Sequence, residues 1–304
     1  MSGNETKEEI RSLKAEIRRL RKSLKELTPS LPALLRRRGF RIYKKEPSDD
    51  LLLPPKRFTD DYYRSLTRYS FRLFLRDVIK RQDLFAVKDV TRYSTQEVTA
   101  DYVRFLLKIG LIRTKNSSAA LPLLTKGASE RSQRCFRLKK APVKSFGPTL
   151  EWFLSEILKR EFATEATWGV KFKRPAVGGD YDVIAKIDGS LLYAEVKSSP
   201  PKQIYASEIS AFFDRVFDLS PEITIFFMDT ELRMKDKIVP MFEEEMRKRP
   251  PEALFSYLAA REVPPVERIE KELFQIGKKI FIINAKDSIV NNIEKVLSRY
   301  FRGI

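Results

Sequence analysis

Residues 178–197 read GGDYDVIAKIDGSLLYAEVK, and the fold turns on them. Two apolar runs, Tyr181-Asp182-Val183-Ile184 and Leu191-Leu192-Tyr193-Ala194, flank Asp188-Gly189. An Asp-Gly pair between apolar runs predicts a tight hairpin turn. The hairpin would hold Asp182 beside Glu195. Side chains alternate faces along a strand, so Glu195 and Lys197 share one face. Two carboxylates and a lysine at one spot suit a hard divalent cation with an activated water.

The pattern resembles the PD-(D/E)XK nuclease superfamily. Its motif is an acidic residue, a variable gap, then (Asp/Glu)-x-Lys at the end of the next strand. Asp182 takes the first position, Glu195 the second and Lys197 the third. Gly178-Gly179 before the aspartate is similar to the Holliday-junction-resolvase and Mrr-like branches. Those branches often add a glutamate in the helix before the core. Glu151, within Thr149-Leu150-Glu151-Trp152-Phe153, stands where that glutamate would. Tyr181 replaces the proline that often precedes the acid.

The resemblance covers about the last half of the chain. It implies an α/β, restriction-endonuclease-like domain with a central mixed sheet, hydrolysing DNA phosphodiesters with Mg²⁺ or Mn²⁺. In that scheme Asp182 and Glu195 bind the metal, with the backbone carbonyl of Val196 as a third oxygen. Lys197 orients the water or stabilises charge on the phosphate, and Glu151 reaches the same site directly or through water. Asp180 is an alternate first carboxylate, but it abuts the glycines, so Asp182 is preferred. Glu208, Asp214 and Arg215 on the following helix either face the site or form a solvated face.

Charge divides the chain. Residues 1–150 carry 35 Lys/Arg against 16 Asp/Glu, and residues 151–304 carry 24 against 25. All of the net +18 therefore sits in the first half. A basic half joined to a nearly neutral half suggests a nucleic-acid-binding module beside something else. With no histidine in 304 residues, a Ser-His-Asp triad, a Cys/His zinc finger and a histidine general base are excluded. One cysteine, Cys135, forms no internal disulfide and fits a reducing, cytoplasmic setting. The charged N-terminus is unlike a secretory signal, and no apolar run approaches the ~20 residues of a membrane span.

Four segments are expected. In residues 5–28, Ile10, Leu13, Ile17, Leu20, Leu24 and Leu27 recur in steps of three and four. This is a coiled-coil seam for a homodimer, or one amphipathic helix packed on its own chain. Residues 29–57, with five prolines and the clusters Arg36-Arg37-Arg38 and Lys44-Lys45, read as a basic linker or extended arm. Residues 58–145 resemble a winged-helix DNA-binding domain. One long helix runs over 60–81, a short one near 85–90, and another follows an N-cap at Ser94 or Thr95 and closes at Gly110. Two strands around a long loop would then form the wing. The DNA-facing candidates are Arg92, Tyr93, Thr95, Gln96, Thr99 and Arg104, with Lys115, Lys126, Arg131 and Arg134 at the wing.

Residues 146–304 form the nuclease-like segment, in the order α-β-β-β-α-β followed by further elements. The whole is an α+β multidomain chain. The functional expectation is a metal-dependent DNA endonuclease targeted by a winged helix. Its rival is a DNA-binding regulator or scaffold whose nuclease-like domain is inactive.

Overall fold

The computed structural model describes residues 10, 12–17, 19, 20, 23, 29–115, 134–173 and 176–303. Its helices are α1 (Leu31–Arg37), α2 (Thr59–Leu66), α3 (Tyr69–Lys80), α4 (Gln96–Lys108), α5 (Gly147–Glu161), α6 (Ala206–Leu219), α7 (Ile238–Lys248), α8 (Pro251–Leu258) and α9 (Ile289–Arg302). Its strands are β1 (Ile42–Lys44), β2 (Ile112–Lys115), β3 (Cys135–Leu138), β4 (Glu165–Phe172), β5 (Tyr181–Ile187), β6 (Ser190–Lys197), β7 (Ile223–Met228), β8 (Val266–Glu270), β9 (Leu273–Ile276) and β10 (Ile280–Asn284).

The chain is a mixed α/β structure around a large mixed sheet. Eight strands lie in the order β1-β4-β5-β6-β7-β10-β9-β8. Pairing is parallel at β6/β7 and β7/β10 and antiparallel elsewhere in this sheet. Central strands covered on both faces are apolar throughout, and β7, Ile-Thr-Ile-Phe-Phe-Met, is buried at every position. On one face Val183, Ala185, Leu192, Ala194, Ile225 and Phe227 meet α5 and α9. On the other, Ile184, Tyr193, Phe226 and Met228 meet α6, α7 and α8. The alternation along β5 and β6 thus divides the core into two layers.

The turn between β5 and β6 follows from its residues. Ile187 pairs with Ser190, leaving Asp188 (φ 45°) and Gly189 (φ 82°) as a two-residue loop. Positive φ at both positions suits the right-handed twist of the hairpin, and Asp-Gly tolerates it.

Three expectations change. Residues 29–57 are folded onto the sheet rather than forming a linker. Leu31 and Leu35 of α1 are buried in the second core layer, and β1 pairs with β4 as the edge strand. Apolar residues between the prolines and cations outweigh the linker signal by giving this segment a surface to bury.

The single helix over 60–81 is broken into α2 and α3. The Arg72 guanidinium takes the Leu66 carbonyl at 2.6 Å and the Thr67 carbonyl at 3.1 Å. These are α2 C-terminal carbonyls that continued helix would have engaged, and Arg68 is extended.

The basic half also shares a core with the rest of the chain rather than standing beside it. Helices α2–α4 and the β2/β3 hairpin share one buried cluster with α5, α9 and the sheet. Tyr62 stacks on Trp152 with ring centres 6.1 Å apart, and Tyr63 meets Phe153 at 5.5 Å. Arg72, 1% exposed, binds the fully buried Asp229 at 2.8 Å just beyond β7, and Arg76 reaches the same carboxylate.

The segment expected as a winged helix contains α2, α3, a short helical turn at Val87–Val90, α4 and the β2/β3 hairpin. The loop between β2 and β3 lies outside the described residues, with Lys126 and Arg131. At the N-terminus the described residues are helical, and Ile10, Leu13, Ile17 and Leu20 are all exposed. Leu24 and Leu27 of the expected seam lie outside the described residues. No described helix is long and apolar enough to cross a membrane.

Candidate active site

The β5–β6 hairpin sets Asp182 opposite Glu195. Val183 pairs with Ala194, so the next step out joins the two acids. Asp182 Oδ2 accepts the Val196 N–H at 2.7 Å, which fixes the aspartate against the motif strand. Lys197, two residues past Glu195, places Nζ 3.0 Å from Glu195 Oε1. Asp180 is exposed before the strand begins and lies 3.9 Å from Lys171.

Glu151 comes from α5 on the side of β4 and β5. It approaches the sheet at Gly169, whose φ is +56°. A Cβ at Gly169 would stand 2.5 Å from Pro47 Cδ and 3.7 Å from Glu151 Oε2. Glycine there keeps the chain open at the place where the glutamate comes in.

Helix α6 closes the site from the opposite layer. Residues 208 and 215 are seven apart, two helical turns, so they share a face. Glu208 is 3.0 Å from Lys197 Nζ and also receives the Tyr205 N–H at 3.0 Å. Arg215 donates from Nη2 to Glu195 Oε1 at 2.7 Å and from Nε to Oε2 at 3.2 Å. Tyr193, two residues before Glu195 on the same face of β6, donates its hydroxyl to Oε2 and receives Arg215 Nε at 2.9 Å. The helical spacing was the available signal for Glu208 and Arg215, whereas Asp214 turns away to Arg249 at 2.6 Å. Nothing in the motif announces Tyr193, which the strand alternation alone puts beside Glu195.

The electrostatics separate the carboxylates into two kinds. Burial pushes the Asp182 carboxyl well up from its ordinary range, and the charges of Glu195 and Glu151 push further. Burial, then Asp180 and Glu195, raise Glu151 to about 8. Burial works against the Lys197 ammonium, but Glu195 and Glu208 outweigh it and hold its pKa above that of an ordinary lysine. Glu195 is compensated at both oxygens: Arg215 and Lys197 meet Oε1, while Arg215 and Tyr193 meet Oε2.

These positions decide which groups fit a divalent cation. Among the described residues, no three acidic, cysteine or histidine side chains form a ready metal cluster. Among the described residues, Asp182 Oδ1 and both Glu151 oxygens accept no hydrogen bond, and the charge of Glu151 adds to the upward shift of Asp182. Mg²⁺ keeps several waters and needs only one or two protein carboxylates. Neither oxygen of Glu195 is open in this arrangement, since each already has two partners.

The DNA-facing candidates belong to α4, the segment before it and the β2/β3 hairpin, none of which carries a residue of this centre. Arg92, Gln96, Arg104, Lys115 and Arg134 are exposed, and Arg92 stacks over Tyr93 at 5.1 Å. Arg104 is paired with Asp101. Thr95 caps α4, accepting the Val98 N–H at 3.3 Å. Thr99 is a correction: it is fully buried, and its hydroxyl bonds the Thr95 carbonyl and the Ser94 hydroxyl, both at 2.9 Å. A residue one turn beyond the cap faces inward to tie that cap down, so no nucleic acid reaches it.

No protein-family profile and no curated protein matches the chain. Among solved structures it is similar to Can2 from Sulfobacillus thermosulfidooxidans, determined in complex with cyclic tetra-adenylate. That likeness has 16% identity over 65% of this chain and 50% of the other, with a TM-score of 0.39. It is also similar to VC1899 from Vibrio cholerae, at 11% identity over 72% of this chain and 56% of that one, with a TM-score of 0.42. The chain spans about half the length of each.

Proposed function

We propose that the chain is a metal-dependent DNA endonuclease, with the basic segment around α3, α4 and the β2/β3 hairpin acting as a winged-helix DNA-binding unit. The observation that carries this reading is the meeting of Asp182, Glu195, Lys197 and Glu151 from three elements at one end of the β5–β6 hairpin. Asp182 and Glu151 would hold Mg²⁺ or Mn²⁺. When bound, the ion supplies Lewis-acid polarisation of a phosphate oxygen and lowers the pKa of a water. Lys197, kept protonated by Glu195 and Glu208, places a fixed positive charge beside the attacked phosphate. Glu195, held by Arg215, fixes Lys197 in turn.

A second reading is a DNA-binding scaffold without catalysis. The specific support for it is the saturation of Glu195 by Arg215, Tyr193 and Lys197. Cleavage separates the two. Supercoiled, linear, single-stranded and four-way-junction DNA are incubated with the protein in Mg²⁺ or Mn²⁺, beside Asp182→Ala and Glu195→Ala. Cutting by wild type that Asp182→Ala abolishes supports the enzyme. DNA binding without cutting of any substrate supports the scaffold.

A further inference from the structure

The cations of residues 36–45, expected to lie along a linker, are instead gathered at one edge of the large sheet. Arg36 and Arg37 end α1, Arg41 to Lys45 run through the edge strand β1, and Lys171 and Lys173 lie at the end of β4. The Lys173 N–H reaches the Arg41 carbonyl at 2.8 Å, joining the two groups. Pro32, Arg36, Phe40, Arg41, Ile42 and Lys173 line a cleft of about 470 Å³. All of the named cations are exposed.

Few of these charges are answered within the protein. Glu222 lies 2.6 Å from Arg38, Asp49 lies 3.6 Å from Lys44, and Asp180 lies 3.9 Å from Lys171. Among the described residues, Arg36, Arg37, Arg41, Lys45 and Lys173 make no ion pair. Tyr43 stands among them with 71% of its surface exposed, while its neighbour Ile42 packs against the core. Like charges crowded on one edge repel each other, and a polyanion relieves that repulsion. An exposed aromatic ring among cations adds a platform on which a base stacks.

The edge also leads to the candidate active site. Gly169 of β4, where Glu151 comes in, lies two residues before Lys171, and Lys171 is paired with Asp180. From the cleft, the chain runs back along β4 from Lys173, bonded to Arg41, through Lys171 to Gly169 at Glu151.

We propose that the β1/β4 edge binds a nucleic-acid strand, its phosphates on Arg36, Arg41 and Lys173 and an unpaired base on Tyr43, and passes that strand toward Asp182. As a route to Asp182 this surface rests on the nuclease reading; as a binding surface it stands without catalysis. It is separate from α4 and the β2/β3 hairpin, so the chain has two nucleic-acid contacts.

The test is fluorescence anisotropy of the full chain with a labelled single-stranded oligonucleotide and with the matching duplex, in EDTA so that no cleavage intervenes. Three variants are compared with wild type: Arg41→Glu with Lys173→Glu, Tyr43→Ala, and Arg104→Glu on α4. The charge-reversal pair is expected to weaken single-strand binding at least tenfold. Its plot of log affinity against log salt should be shallower by about 0.7 for each phosphate that the protein no longer neutralises. Tyr43→Ala is expected to weaken the single strand roughly tenfold and to leave the duplex unchanged.

Unaltered single-strand affinity and salt slope in both β1/β4 variants overturns the proposal. So does a loss confined to the duplex. Circular dichroism melts establish that each variant is folded; should the double reversal fail, Tyr43→Ala alone decides. A chain that binds through this edge yet cuts nothing in Mn²⁺ disproves the nuclease reading and leaves the surface standing.

Discussion

Arg215 grips Glu195 from the helix above it, with Nη2 2.7 Å from Oε1 and Nε 3.2 Å from Oε2. Glu195 is 2% exposed, so this is a desolvated pair. The pairing gives the motif carboxylate a role different from that of Asp182: it is neutralised by fixed charge and in turn orients Lys197. Removing one member of a buried pair strands the other, at a cost of about 3–5 kcal/mol.

Arg215→Gln therefore lowers the melting temperature markedly. It also frees oxygens of Glu195 next to Asp182. Mn²⁺ is expected to raise the melting temperature of Arg215→Gln by more than it raises that of wild type. Thermal denaturation with and without Mn²⁺ measures both effects. An equal response in the two proteins shows that Glu195 takes no part in cation binding.

The carboxylates that Arg215 does not bond make stability depend on pH. Glu151 holds its proton to about pH 8, whereas in the unfolded chain it has the ordinary value of 4.5. Between these limits the folded protein binds a proton that the unfolded chain has lost. Stability therefore falls as pH rises through that window, and the upward shift of Asp182 acts in the same direction. Urea midpoints at about pH 5 and pH 8 should show the decline, with Glu151→Gln flattening it. Mg²⁺ is expected to recover stability at the alkaline end, where both acids are ionised, and to do little at the acid end.

Asp229 carries the junction between the basic half and the sheet. It is fully buried, receives Arg72 and Arg76, and donates its own N–H to the Lys197 carbonyl at 2.8 Å. Asp229→Ala leaves two guanidinium groups without their counter-ion and is expected to cost about 3–5 kcal/mol. Because one core runs through both halves, unfolding should be a single transition. Circular dichroism and tryptophan fluorescence in urea should give coincident curves for wild type; separated curves would mean independent halves.

The order of elements around the hairpin was legible because each signal was local. Asp188-Gly189 marked the turn, and the apolar runs on either side of it marked β5 and β6. The juxtaposition of Asp182 and Glu195 followed from the same turn. What stayed hidden depended on distant partners. Arg72 reads in sequence as one more cation on an amphipathic helix, yet Asp229, 157 positions away, makes it a buried hub that also ends α2. Leu31 and Leu35 read as isolated apolar residues in a basic, proline-rich stretch until the second core layer covers them. The strands β8 and β9 were missed because Val266–Glu270 is mostly exposed and charged, and its pairing with β9 comes from the sheet edge and not from its own pattern.

Helix α4 offers a sharp contrast between a packing and a binding residue. Thr99 and Arg104 lie five positions apart, one fully buried and one with an exposed, charged side chain. Thr99→Val removes the hydroxyl bonded to Thr95 and Ser94 and is expected to cost about 1 kcal/mol of stability, with duplex affinity unchanged. Arg104→Ala should do the reverse, leaving the melting temperature in place and weakening duplex binding through a lower salt slope. Reversed outcomes would place the DNA contact elsewhere than α4.

The N-terminal helix supplies the last prediction. Ile10, Leu13, Ile17 and Leu20 are 45–62% exposed, with spacings of three and four that align them on one stripe. A second copy of the same stripe would bury it in a parallel pair. Three heptads are marginal alone, since helix stability comes mostly from packing of the apolar face rather than from propensity. Association should therefore be concentration-dependent. Light scattering over a dilution series is expected to move from dimer to monomer mass, and removal of residues 1–28 to give monomer throughout. Leu13→Lys with Leu20→Lys should match the truncation, because it places charge in the seam while leaving the sheet untouched. A monomer mass for the full chain at every concentration rejects the seam.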